Sequence, residues 1–219
     1  MNSKEFVRGL IDEMNQVFSK LGETATLESE SEGNVDVVTL LRLALKSELE
    51  ASELAGFWLP TTPEVDAKML LAQQCGDEMK HYGMIAQRLA ELGDDLSTFD
   101  PAAEGRSPLY HYLRGLRTTV ERVAGGPFAS EAIAQVRNAQ FVAFCRSVGD
   151  EETARLYDET IQPEEAHHHH YGAEILAKYA TTPELQELAA AAVRNTLAIA
   201  DELKDLAAKT TGTHSIPVS

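Results

Sequence analysis

Residues 73–89, QQCGDEMKHYGMIAQRL, and residues 161–172, IQPEEAHHHHYG, are the most informative stretches of this 219-residue chain. Each holds a Glu followed three residues later by a His: Glu78/His81 and Glu165/His168. On a helix, that spacing puts both side chains on one face, one turn apart. The surroundings have helical periodicity. Glu78 shares a stripe with Ala67, Leu71, Ile85 and Leu89. Ala154, Tyr157, Ile161, Glu165, His168, Gly172, Ile175 and Tyr179 form a second inward stripe. The competing register, Glu164/His167, shares its face with Thr153, Thr160, Glu174 and Lys178, so it is expected to face solvent. Asp77 is expected to point toward a polar side as well. Of the run His167 to His170, one imidazole can point to the centre, and the stripe selects His168.

Start and stop signals lay out the rest of the chain. An amphipathic helix from Lys4 to Leu21 ends at Gly22, and Glu23 to Asn34 reads as a loop. A helix from about Val35 to Leu59 stops at Pro60, and the next runs from Pro63 to Leu92, before Gly93. Asp94 to Ser107 is a loop. A helix from Pro108 to about Val123 breaks at Gly125-Gly126-Pro127, and another then runs to Val148. Gly149-Asp150 turns the chain into a helix from Glu151 to Ala180, in which Pro163 should make a kink. Thr181-Thr182-Pro183 starts a last helix to about Ala208, and Thr210 to Ser219 is a frayed tail. This predicts an all-α protein with two long hairpins joined by a long connection, the order of a four-helix bundle with one crossover. It is expected to form one domain over 1–219, with its core at 35–180 and accessory helices at 4–21 and 183–208.

Further carboxylates fall on buried stripes. With Glu48 at zero on a helical wheel, Val37 and Ala55 lie at about −20°, Leu41 and Leu59 at about +20°, and Ser52 at about +40°. Glu48 is therefore centred on an apolar face, while Glu50 and Glu53 belong to a solvated one. A carboxylate in such a place must be paired, protonated or bound to metal. Between Arg122 and Gly149 the sole acidic residue is Glu131. It is either the carboxylate of that helix or an N-terminal Glu that complements the helix dipole. Height gives a separate test. Glu48 and Glu78 are centred on position 63, inside the first turn region, and Glu131 and Glu165 on position 148, beside the second. Four carboxylates and two imidazoles are a mixed O/N donor set that suits iron or manganese. Bridging carboxylates can hold two such ions roughly 3.5–4 Å apart.

Composition narrows the function. The chain is 43% hydrophobic by residue type, with a net charge of −16. That charge repels phosphate backbones and argues against nucleic-acid binding. Cys75 and Cys145 are too few for a disulfide framework. With no signal peptide and no apolar run of membrane-spanning length, a cytoplasmic protein without a membrane partner is expected. Tyr82, Tyr157 and Tyr171 lie within a turn or two of the candidate site, Trp58 lies toward one edge of the first core helix's inward face, and all four are read first as packing residues. The stripe Leu185, Leu188, Ala192, Ile199, Leu203 and Leu206 is expected to cover the bundle, with a homodimer seam as its second use.

From Glu48, Glu78-Met79-Lys80-His81, Glu131 and Glu165-Ala166-His167-His168, the chain resembles the ferritin-like di-iron carboxylate superfamily over roughly 35–180. The resemblance implies a ferritin-like four-helix bundle with a long crossover and added N- and C-terminal helices. It implies a metal set of Glu48, Glu78, His81, Glu131, Glu165 and His168 holding two iron ions, or manganese, or one of each. It also implies an oxidase or oxygenase whose partners are dioxygen and a small-molecule substrate or electron donor. Two alternatives stand beside it: a ferroxidase or iron-storage protein, and a non-catalytic helical interaction protein.

Overall fold

A computed structural model describes residues 1–22, 36–103 and 105–211, and the side chains of all of these except 20–22 and 202–211. The expected loop Glu23 to Asn34, the tail from residue 212 and the side chains of Leu203 and Leu206 lie outside the described residues. Among the described residues there is no strand. The helices are α1 (Ser3–Gly22), α2 (Val37–Trp58), α3 (Val65–Glu91), α4 (Pro108–Arg114), α5 (Thr119–Val123), α6 (Glu131–Ser147), α7 (Glu151–Leu156), α8 (Gln162–Tyr179) and α9 (Pro183–Thr211).

The caps explain the boundaries. Asp36, Ser107 and Asp150 each accept from the backbone N–H three residues on, and Thr118 with Glu121 forms a capping box. Helices α3 and α6 end alike. Gly93 and Gly149 take φ of 84° and 85°, a left-handed conformation that Gly adopts without strain. The next amides, Asp94 and Asp150, then donate back to Leu89 and Cys145.

Helices α2 and α3 pack as a hairpin about the Pro60–Pro63 turn, and α6 packs on α7 and α8 about Gly149. One detail departs from the sequence reading. The helix expected from Pro108 to Val123 is two short helices, separated where Gly115 caps α4 and Thr118 caps α5. The expected break at Gly125-Gly126-Pro127 is present as a kink, because Gly126 leaves the helical region at φ −82°, ψ −106°, inside a π segment, Ala124–Ser130, that leads into α6. A second π segment, Tyr157–Ile161, joins α7 to α8. It accounts for Pro163. A proline ring clashes with the carbonyl four residues back, and the wider i→i−5 turn, with Gln162 N–H donating to Tyr157 O, relieves that.

Apolar residues fill two layers. One holds Trp58, Leu70, Leu71, Val123, Phe128, Ile175 and Leu176 with parts of α1 and α9. The other holds Leu40, Leu45, Ile85, Phe141, Tyr157 and Ile161. Helices α2 and α3 pass from one layer to the other at Glu48 and Glu78, Glu165 lies between Ile161 of one layer and Ile175 of the other, and Glu131 lies beside Ala129 and Ala132 of the first. Helix α9 covers the π segment, α4 and α5. Its buried face is Gln186, Ala189, Ala190, Ala192, Val193 and Thr196; of the expected stripe Ala192 is buried, Leu185 and Ile199 are half-buried against the core, and Leu188 is exposed. No described helix is long and apolar enough to cross a membrane.

Candidate metal centre

All six predicted residues are at most 2% exposed, and they lie on four different helices. Helix α2 brings Glu48, α3 brings Glu78 and His81, α6 opens with Glu131, and α8 brings Glu165 and His168. Their ligand-type atoms converge in two groups: Glu48, Glu78 and His81, and Glu78, Glu131 and His168. Within each group these atoms lie within 4.8 Å of one another. Each of these buried groups can hold a metal ion. Glu78 belongs to both and faces both ways. Its Oε2 lies 3.3 Å from His81 Nδ1, and its Oε1 lies 3.6 Å from His168 Nδ1. Glu48 Oε2 is 3.4 Å from His81 Nδ1. Glu165 joins neither group. Asn138 Nδ2 donates to both of its oxygens, at 2.8 and 2.9 Å. Gln74 donates to Glu131 Oε1 only.

The imidazoles are held from behind. His81 Nε2 donates to Glu164 Oε2, and His168 Nε2 to Asp77 Oδ2, both at 2.9 Å. A carboxylate accepts and does not donate, so each bond puts a proton on Nε2 and leaves Nδ1 facing the centre. The arrangement is crossed, because the residue before Glu78 holds the histidine of α8, and the residue before Glu165 holds that of α3. Periodicity had placed Asp77 and Glu164 on solvated faces. Both are only partly exposed, and their carboxylates curl back to the centre. The one available signal was position, an acid directly preceding each Glu-x-x-His. Glu50 also departs from expectation. It is buried and accepts from Ser107 N and Oγ, which anchors the start of α4 to α2. Of the other histidines, His167 and His170 are exposed, while His169 stacks on Phe128 and bonds its carbonyl.

Four atoms of the centre are buried and have no hydrogen-bond partner: Glu48 Oε2, Glu78 Oε1, Glu131 Oε2 and His168 Nδ1. Tyr157 OH in the adjoining layer is a fifth. Burial pushes the carboxyls of Glu48, Glu131 and Glu165 well above the usual range, and neighbouring carboxylates push further. Burial would do the same to Glu78, but His81 and Glu48 hydrogen bonds reverse it and hold its carboxyl below normal. Burial disfavours charge on His81 too, and Glu48 and Glu78 overcome this and raise it to about 11. Without metal, the surroundings therefore favour charge on Glu78 and His81 and disfavour it on Glu48, Glu131 and Glu165. No protein-family model, curated protein or solved structure matches this chain.

Proposed function

We propose that the chain is a di-iron carboxylate oxidoreductase that uses dioxygen to oxidise a small molecule, built as a ferritin-like bundle with residues 92–118 as its crossover. The four unpartnered atoms at the centre carry this reading. Each unsatisfied buried polar group costs about 1–3 kcal/mol, and here four of them converge. A purely structural core would replace them with apolar side chains at no such cost. Cations satisfy all four at once.

Glu48 and His81 would hold one ion and Glu131 and His168 the other, with Glu78 shared. The oxygen-rich donor set with one imidazole per position favours iron or manganese. When bound, the pair supplies one-electron steps and open positions for dioxygen. The chain's own contribution is positional. Asp77 and Glu164 fix the imidazole tautomers, and the two apolar layers exclude water from the centre.

The test is metal analysis of protein purified without a chelating column, since His167 and His170 would retain nickel. Two irons per chain after anaerobic loading, and an optical change on admitting oxygen, are expected. No bound metal overturns the proposal. A large hollow assembly taking up many irons per chain would replace it with iron storage.

A further inference from the structure

Resting on the metal centre proposed above, we infer that Asn138 is a latch. It holds Glu165 out of the metal positions, so the two ions load in sequence, and the second enters only as Glu165 is released.

The two buried amides at the centre act differently. Gln74 holds one oxygen of Glu131 and leaves Oε2 without a partner, free for a cation. Asn138 spans both oxygens of Glu165, which has no unpartnered atom and joins neither converged group. Asn138 is itself buried and lies two turns beyond Glu131 on the same face of α6, so its reach to α8 is fixed by the hairpin.

Charge makes Glu165 necessary. Two divalent cations bring four positive charges, and Glu48, Glu78 and Glu131 bring three negative ones. A buried centre tolerates little net charge. The first ion is neutralised by the converged carboxylates with Glu165 still bonded to Asn138. The second needs a fourth carboxylate, and Glu165 is the remaining buried one there. Its recruitment breaks its two hydrogen bonds from Asn138 and leaves that amide to find new partners. The latch thus weakens the second binding step and leaves the first alone. Asn138 is a positioning residue.

The test is a Co(II) titration of the full chain, followed by calorimetry and by cobalt absorption. The wild type should bind in two steps. In Asn138→Leu, of similar volume and without a donor, the second step should tighten by about tenfold and the first stay unchanged. Asn138→Ala serves if the leucine fails to fold. Either variant should lower the melting temperature of the metal-free protein and enlarge its rise on adding Co(II). In Gln74→Leu the second step should not tighten, because that amide leaves an oxygen free. A second step unchanged or weaker without Asn138, or tightened equally without Gln74, overturns the latch and leaves the metal centre standing. No Co(II) binding by the wild type removes the metal centre itself, and the latch with it.

Discussion

Helices α2 and α3 deliver Glu48, Glu78 and His81 from uninterrupted α-helix, whereas α6 and α8 each emerge from a π segment just before Glu131 and Glu165. The polar partners differ in the same way. In the first hairpin the carboxylates face the His81 imidazole, while in the second both are held by neutral amides, Gln74 and Asn138. The regular hairpin presents a preformed half of the centre. The interrupted one presents a half in which Glu165 must exchange its two amide bonds for metal, while Glu131 keeps one oxygen free. Substitutions that treat the two halves unequally test this contrast.

The largest effect is expected at the residue both halves share. Glu78→Gln should remove metal from both positions, by more than the roughly 100-fold that losing an outer partner costs. Glu131→Gln should leave the Glu48/Glu78/His81 position occupied. Metal content per chain distinguishes them: none for the first variant, one ion for the second. Equal loss in both would mean that the centre does not divide in two. Next come the crossed supports. Asp77→Asn acts on His168 and should weaken the second-hairpin position by about 10–100-fold, although Asp77 belongs to α3. Glu164→Gln should weaken the His81 position by a similar factor from α8. Stepwise metal titration reads which step moves, and effects confined to each residue's own hairpin would refute the crossing.

The same contrast explains what could be read from the sequence. Glu48 was legible because α2 keeps strict helical periodicity through Leu41, Ser52 and Ala55, all of which are buried. The register of the His run was legible because α8 is regular again beyond Pro163, so Glu165 and His168 stay one turn apart. The π segments were not legible. Gly125-Gly126-Pro127 marks the break at Gly126, but the wide turn around it, packed close against Trp58 and Gly172, leaves no local signal. Asp77, Glu164 and Glu50 were misplaced for one reason. A wheel reports the direction of Cβ, and a long or well-placed carboxylate can bend back to a buried donor.

That packing can be strained directly. A Cβ on Gly172 would lie 3.1 Å from Phe128 N and 3.2 Å from the Pro127 carbonyl carbon, both backbone atoms of the π segment. Gly172→Ala should therefore destabilise by about 1–3 kcal/mol, seen as a lower melting temperature. Because the displaced segment leads directly into Glu131, the loss should fall on the second-hairpin metal position while the first keeps its affinity. The matched control is Gly76→Ala in α3, where an added Cβ meets nothing within 4 Å. It should be neutral or slightly stabilising through helix propensity.

The smallest effect is a slope with pH, whose sign differs between the metal-free and loaded forms. Glu48, Glu131 and Glu165 have raised carboxyl values when folded, so their contribution is full below the ordinary 4.5 and is lost as pH climbs through the folded values. His81, raised from 6.5 to about 11, adds stability below 6.5 that fades toward 11. Glu78 is lowered, so its contribution is already complete above 4.5. The metal-free protein should thus melt at progressively lower temperature between about pH 5 and 9. With excess Mn(II) the trend should reverse, because protons compete with the cations. Glu48→Gln should flatten the metal-free slope more than Glu165→Gln. Both relieve the raised Glu131 carboxyl, but the first alone also removes a support of the raised His81. Thermal unfolding in chelator across that range measures it, and equal slopes for the two variants would mean that the hairpins do not differ in how they hold their protons.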